Sequence, residues 1–168
     1  KYYLSDFQGS IEDYTYAINN INEDYSITYN IDTMYPRTYS NRGTSKIQIE
    51  NYHSAIDDCN KAISIVAEYN YIGIDDFEKD KLDDCDIDIL FDSYYIIGLA
   101  KVFLGKYQDS IKSFNKGLYF NSQSGKVYKS RGISKQYLED LKGACEDWKK
   151  AAELGDEDAA KLLEEHCK

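Results

Sequence analysis

A single proline in 168 residues is the first constraint this chain sets on its own architecture. With long stretches also free of turn residues, it lacks the frequent breaks that the many short strands of a β-sandwich require. No uninterrupted apolar run approaches the roughly 20 residues that span a bilayer, and no hydrophobic segment lies near Lys1 to act as a signal peptide. The first residue is Lys rather than Met, as expected of a mature or trimmed form. Bases are also short, 20 against 30 acids, which leaves a net charge of -10 and no basic stripe. That balance argues against nucleic acid and against anionic membrane surfaces as partners.

Patterns that carry chemistry are missing too. There is no phosphate loop, no H-E-x-x-H and no G-x-S-x-G. His53 and His166 lie in different parts of the chain, neither beside a nucleophile with a third orienting group. Cys59, Cys85, Cys145 and Cys167 form no C-x-x-C pair, so a zinc knuckle is not expected. The expectation is a chain with no enzymatic activity, no cofactor and no metal site.

What is present is 42% hydrophobic content with 17 tyrosines, enough for a folded core. Tyrosine favours strands, so the helical reading rests on periodicity rather than propensity. From Gly125 to Asp158, Val127, Tyr128, Gly132, Ile133, Tyr137 and Leu138 recur at helical spacing, and Leu141, Ala144, Cys145, Trp148, Ala151 and Ala152 follow after Glu139-Asp140. Two short amphipathic helices cannot bury their apolar faces alone, so similar units must stack on them. Near the start, Phe7, Ile11, Tyr14, Ile18 and Ile21 predict a helix within residues 1–22, with Ser5 or Asp6 as N-cap. Residues 22–35 show no clean period and predict a connection or short turn, after which Pro36 is placed to open a helix.

Three passages align: Tyr39 to Lys46 (YSNRGTSK), Tyr94 to Lys101 (YYIIGLAK) and Tyr128 to Lys135 (YKSRGISK). Their second halves align as well, Tyr52, Ala55, Cys59 and Ala62 with Tyr107, Ser110, Phe114 and Gly117, and with Leu141, Ala144, Trp148 and Ala151. Every matched position moves by 55 residues and then by 34, and a further 45 residues back Phe7, Ser10, Tyr14 and Ala17 match the second half again. A 34-residue unit with this order of aromatic, glycine and small positions resembles the tetratricopeptide repeat. Cys59 in place of a larger residue, Arg42 and Arg131 in place of Leu, and the absent loop proline depart from that pattern.

The resemblance implies an all-α solenoid of antiparallel helix pairs, about three and a half repeats long. Its expected parts are a partial repeat at 1–22, repeats at 36–69, 91–124 and 125–158, an acidic insertion at 70–90, and a cap helix at 156–167. It further implies a non-catalytic scaffold binding a protein or peptide in a concave groove. The groove would hold Arg37, Thr44, Tyr95, Leu99, Phe103, Lys126, Lys129, Ile133 and Tyr137, with Arg37, Lys126 and Lys129 as basic spots for an acidic terminus or side chain. Ser40, Asn41, Thr44, Tyr95 and Leu99 do not reproduce the Lys and Asn set of the chaperone-tail subclass. The alternative is a structural or assembly domain of a larger chain or homo-oligomer, contacting its partner through the acidic insertion.

From Glu68 to Asp92 ten acids face two lysines, which accounts for -8 of the net charge. Within it Asp84, Asp86 and Asp88 alternate as in half of a calcium loop, but Ile89 and Tyr95 stand where Gly and Glu belong. The stretch reads as a cation site, a solvated acidic loop, or a contact for a basic partner. Cys145 and Cys167 are each eleven residues from Asp156, so folding the last two helices about Gly155 sets them at similar height, either as a disulfide or as two thiols. If bonded they imply a soluble, secreted or periplasmic protein; otherwise the expectation is cytoplasmic.

Overall fold

The computed structural model of the chain describes residues 3–20, 31–70 and 72–167. Among them are eight α-helices and no strand: α1 Tyr3–Asn20, α2 Ile31–Gln48, α3 Tyr52–Tyr69, α4 Asp84–Phe103, α5 Tyr107–Phe120, α6 Gly125–Tyr137, α7 Leu141–Glu153 and α8 Glu157–His166. One turn of 3₁₀-helix, Lys79–Lys81, precedes α4. The chain divides into two compact units, Lys1–Ile96 and Ile97–Lys168. No helix among the described residues is long and apolar enough to cross a membrane.

In the first unit α1 packs on α2 and α2 on α3. The core is drawn from α3 (Ala55, Cys59, Ala62, Ile63 and Val66) and from the first half of α4 (Ile89, Leu90 and Phe91). Three expectations change here. Ser5 and Asp6 lie inside α1 rather than capping it. Pro36 lies within α2 instead of opening it, because Ile31–Tyr35 are already helical. Proline costs the helix one backbone bond, but the Pro36 ring is fully buried, and the Tyr35 and Tyr39 rings pack edge to face at 5.3 Å. Of the connection predicted at 22–35, residues 22–30 lie outside the described residues.

The third change concerns the acidic stretch. Asp84, Asp86 and Asp88 belong to α4, which starts two turns before the expected repeat boundary. They are not a loop. Asp83 Oδ1 accepts from the Asp86 amide at 2.8 Å and so caps α4, while the buried Asp86 carboxylate accepts from Asn70 Nδ2 at 2.9 Å. Carboxylates suit a helix N-terminus, whose unpaired amides carry partial positive charge. Among the described residues no group of three or more His, Cys, Asp or Glu is placed to hold a metal ion.

In the second unit each helix from α5 to α8 packs on the next, and short turns make neighbours antiparallel. Trp148 and Phe114 are fully buried. The close approach of α6 to α7 depends on Gly132: a Cβ there would stand 2.5 Å from Trp148 Nε1 and 3.2 Å from the Ala144 carbonyl. The first unit keeps the same approach, since a Cβ at Gly43 would lie 3.2 Å from the Ala55 carbonyl. The smaller Cys59 therefore replaces a bulky residue without changing how closely the backbones meet.

The two arginines that depart from the repeat pattern have matching partners. Arg42 Nε and Nη2 bond Asp58 at 2.8 and 2.7 Å, and Lys46 Nζ reaches the same carboxylate at 2.7 Å. Arg131 bonds Asp147 at 2.8 and 2.6 Å, with Lys135 Nζ at 2.9 Å. Each guanidinium also donates through Nη1 to the second helix of the preceding repeat, Arg42 to Thr15 at 3.0 Å and Arg131 to Asn115 at 2.6 Å. One side chain thus ties three helices together, which a leucine could do only by packing.

The chain ends on α8. Gly155, with φ of 89°, takes the left-handed conformation that closes α7. Asp156 caps α8 by accepting from the Ala159 amide at 2.9 Å. Ala159 is buried against Ala144, Trp148 and Ala151, with Leu162 and Leu163 packed alongside. Cys145 and Cys167 are joined in a disulfide with Cα atoms 5.7 Å apart.

Candidate functional site

A cavity that gathers four of the nine expected groove residues lies in the second unit. It encloses about 430 Å³ and is lined by Leu99, Val102, Phe103, Tyr107, Ser130, Ile133 and Tyr137. Helical spacing explains the set. Leu99, Val102 and Phe103 fall on one face of α4 by steps of three and four, and Ser130, Ile133 and Tyr137 do so on α6. Tyr107, the first residue of α5, comes in from the turn that follows α4. Gly105, with φ of 71°, makes that turn short.

Two tyrosines form one wall. The rings of Tyr107 and Tyr137 stack in parallel with centroids 4.4 Å apart. Tyr137 stays 60% exposed and Phe103 59% exposed. Large aromatics left this open on a folded protein are candidates for contact with something else. Ile133 forms the inner end, since it also packs on the cluster around Trp148. The lining carries no charged side chain; its hydroxyls are those of Tyr107, Tyr137 and Ser130, and Ser130 Oγ donates to the Lys126 carbonyl at 2.9 Å. Such a lining offers mainly apolar and aromatic contact.

Of the residues expected in a groove, Leu99, Phe103, Ile133 and Tyr137 line this cavity. Arg37, Thr44 and Tyr95 belong to the first unit. Arg37 Nη2 donates to the carbonyl and to Sγ of Cys85, both at 3.4 Å. Thr44 Oγ1 donates to the Ser40 carbonyl at 3.2 Å, and Tyr95 is half-buried. Lys126 is exposed at the start of α6. Lys129 instead bridges Asp156 at 3.2 Å and Asp158 at 3.3 Å. Burial works to lower the Lys129 pKa, but its bonds to Asp156 and Asp158 outweigh that and raise it overall. Arg37 and Lys129 therefore both make internal contacts.

Sequence reasoning missed Tyr107 and Ser130. In the sequence Tyr107 stands out only as the recurring large residue that aligns with Tyr52 and Leu141. Its stacking on Tyr137 depends on helix rotation, which spacing does not reveal.

Comparison with known proteins bears on the frame. A family model for the tetratricopeptide repeat matches residues 36–67 and 91–124. The C-terminal TPR-containing domain of a putative FK506-binding protein from Plasmodium falciparum is similar in structure, with 18% identity, a TM-score of 0.65, and 79% of this chain and 86% of that one covered. The first TPR of Spaghetti (RPAP3), solved bound to the HSP90 peptide SRMEEVD, shows 18% identity and a TM-score of 0.60, covering 79% of this chain and 90% of that one. MamA of AMB-1 gives 24% identity and a TM-score of 0.51, covering 71% of this chain and 58% of its own length. No curated protein matches.

Proposed function

Because this chain is built from tetratricopeptide repeats, we propose that it is a non-catalytic scaffold that binds a protein or peptide through the aromatic cavity of its second unit. The observation that carries the reading is the pairing of Phe103 and Tyr137, both more than half exposed, around one apolar cavity of about 430 Å³. A peptide supplying one large aliphatic or aromatic side chain fits that lining, since burial of the anchor against three rings provides most of the binding energy. Exposed Lys126, two turns from Ile133 on α6, favours an acidic residue beside the anchor. A similar fold holds a peptide in the Spaghetti complex, which makes an extended peptide the natural first ligand to test.

The test is selection from a phage-displayed peptide library on the intact chain, followed by capture on Phe103→Ala with Tyr137→Ala. Loss of capture with unchanged helicity supports the cavity. Equal capture by the double variant moves the site elsewhere.

A second reading rests on charge: of the ten acids between Glu68 and Asp92 eight are exposed, and they would make an assembly surface toward a basic partner or a second copy. A concentration-dependent dimer in light scattering would favour it, and a monodisperse monomer favours the peptide scaffold. On either reading, the Cys145–Cys167 disulfide fits a protein that works in an oxidising compartment.

A further inference from the structure

Lys46, Lys101 and Lys135 occupy the same position in the three repeats. In two of them the ammonium is clamped by an aspartate, Lys46 by Asp58 at 2.7 Å and Lys135 by Asp147 at 2.9 Å. In the middle repeat that aspartate is Ser113, and Lys101 Nζ meets only its hydroxyl, at 3.0 Å. The arginine that shares the carboxylate elsewhere is also replaced, by Ile97. The nearby acid, Asp109, lies one turn earlier on α5 and bonds Lys112 at 2.9 Å.

We propose that Lys101 is an acyl-acceptor site, whose ε-amine takes an acyl group from a thioester or an acyl phosphate where Lys46 and Lys135 do not. The amine lone pair forms a new C–N bond to the acyl carbon. The C–S or C–O bond to the leaving group breaks, a thiolate or phosphate departs, and the proton lost by nitrogen goes to water. Only an unprotonated amine can attack. At Lys46 and Lys135 an acyl donor meets a nitrogen already held in an ion pair, whereas at Lys101 the partner is a hydroxyl.

The surroundings of Lys101 act in the same direction. Burial lowers its proton affinity; Lys112, Lys106 and Lys116 lower it further against the opposing pull of Asp109. The product is also tolerated there. Acylating Lys46 or Lys135 would take one cation from a nearly buried aspartate, at a cost in stability. Acylating Lys101 breaks one hydrogen bond to a hydroxyl and relieves repulsion among four lysines.

The experiment exposes the whole folded chain to limiting acetyl phosphate and follows each lysine by peptide mass spectrometry. Lys101 is expected to be acetylated at least about tenfold faster than Lys46 and Lys135. Ser113→Asp restores the carboxylate present in the sister repeats, and should slow Lys101 by a similar factor without altering access to it. Circular dichroism checks that this variant is folded, and Lys101→Arg confirms the peptide assignment. A Lys101 rate within a few-fold of the other two, or one unmoved by Ser113→Asp, overturns the proposal.

Discussion

Arg131 grips Asp147 at two points, 2.8 and 2.6 Å, across the interface between α6 and α7. The aspartate is 5% exposed and the arginine 18% exposed, so this pair is largely out of water. Removing one partner of such a pair strands the other's charge, whereas removing both in favour of apolar or neutral groups costs little. Asp147→Ala should therefore lower stability by about 3 kcal/mol, at the lower end of the range because Arg131 keeps some access to solvent. Arg131→Ile together with Asp147→Ser copies Ile97 and Ser113 of the middle repeat, and should recover most of that loss. Urea denaturation of the singles and the double gives the coupling directly; additive losses would mean that the two residues act independently.

Gly132 sets how closely α6 approaches α7. Gly132→Ala places a methyl group against the fully buried Trp148 ring and the Ala144 carbonyl. Better helix propensity would favour alanine by about 1 kcal/mol, but overpacking against a rigid ring costs about 1–3 kcal/mol. The net expectation is a lower melting temperature, partly restored when Trp148→Phe is added. A Gly132→Ala variant as stable as the parent would show that the ring can move aside.

These two cases mark how far the sequence could be read. Glycine facing Cys59, Phe114 or Trp148 recurs with each repeat, so helix pairing was legible from spacing alone. The arginine clamps left a signal that was only half used. Arg42 and Arg131 stood out as departures, yet arginine and aspartate come and go together, Arg42 with Asp58, Arg131 with Asp147, Ile97 with Ser113. Extension of α4 back to Asp84 was not legible, because a run of acids suits both a solvated loop and a helix N-terminus. Pro36 misled for a similar reason: proline marks a first turn by preference, and here burial of its ring outweighs the lost backbone bond. Leu99, Phe103, Ile133 and Tyr137, which the resemblance puts in a groove, share one cavity, while the place of Tyr107 in it depends on how α5 enters its turn.

Tyr39 supplies a dependence on alkaline pH. Burial first, and then its bond to Tyr35, push its phenol up to about 12 from the ordinary 10. A raised folded-state value means its contribution to stability is intact below about pH 10 and is lost as pH rises through about 12. Tyr39→Phe should flatten the fall in melting temperature over that window, leaving the neutral range unaffected. An unchanged alkaline profile would place the sensitivity in another group.

The link from Cys145 to Cys167 closes a loop with a sequence separation of 22 over a helix, α8, whose one buried residue is Ala159. Chain-entropy arguments assign a loop of that size about 3 kcal/mol. Cys145→Ser with Cys167→Ser should lower stability by about that amount in oxidising buffer, and reductant should bring the parent to the same value. Thiol titration of the unreduced parent under denaturing conditions should find two thiols, Cys59 and Cys85. In the folded protein Cys59 should be silent, because it is fully buried and burial pushes its thiol well up. Four thiols in protein from its native source would contradict the pairing.

Phe103 separates binding from folding most cleanly. A core phenylalanine costs about 3–5 kcal/mol to truncate, but Phe103 is 59% exposed and should cost less than about 1 kcal/mol. As an anchor contact it should cost about 2 kcal/mol or more of binding when replaced by alanine. Tyr137→Ala makes the companion case: it loses the stack on Tyr107, worth about 0.5–1.5 kcal/mol, along with its share of the ligand contact. Titration calorimetry with a library-selected peptide, run beside thermal melts of the same variants, reads both quantities. Phe103→Ala should weaken binding by at least about 30-fold with a melting temperature close to that of the parent. If stability falls as far as affinity does, Phe103 is a packing residue and the binding surface lies elsewhere.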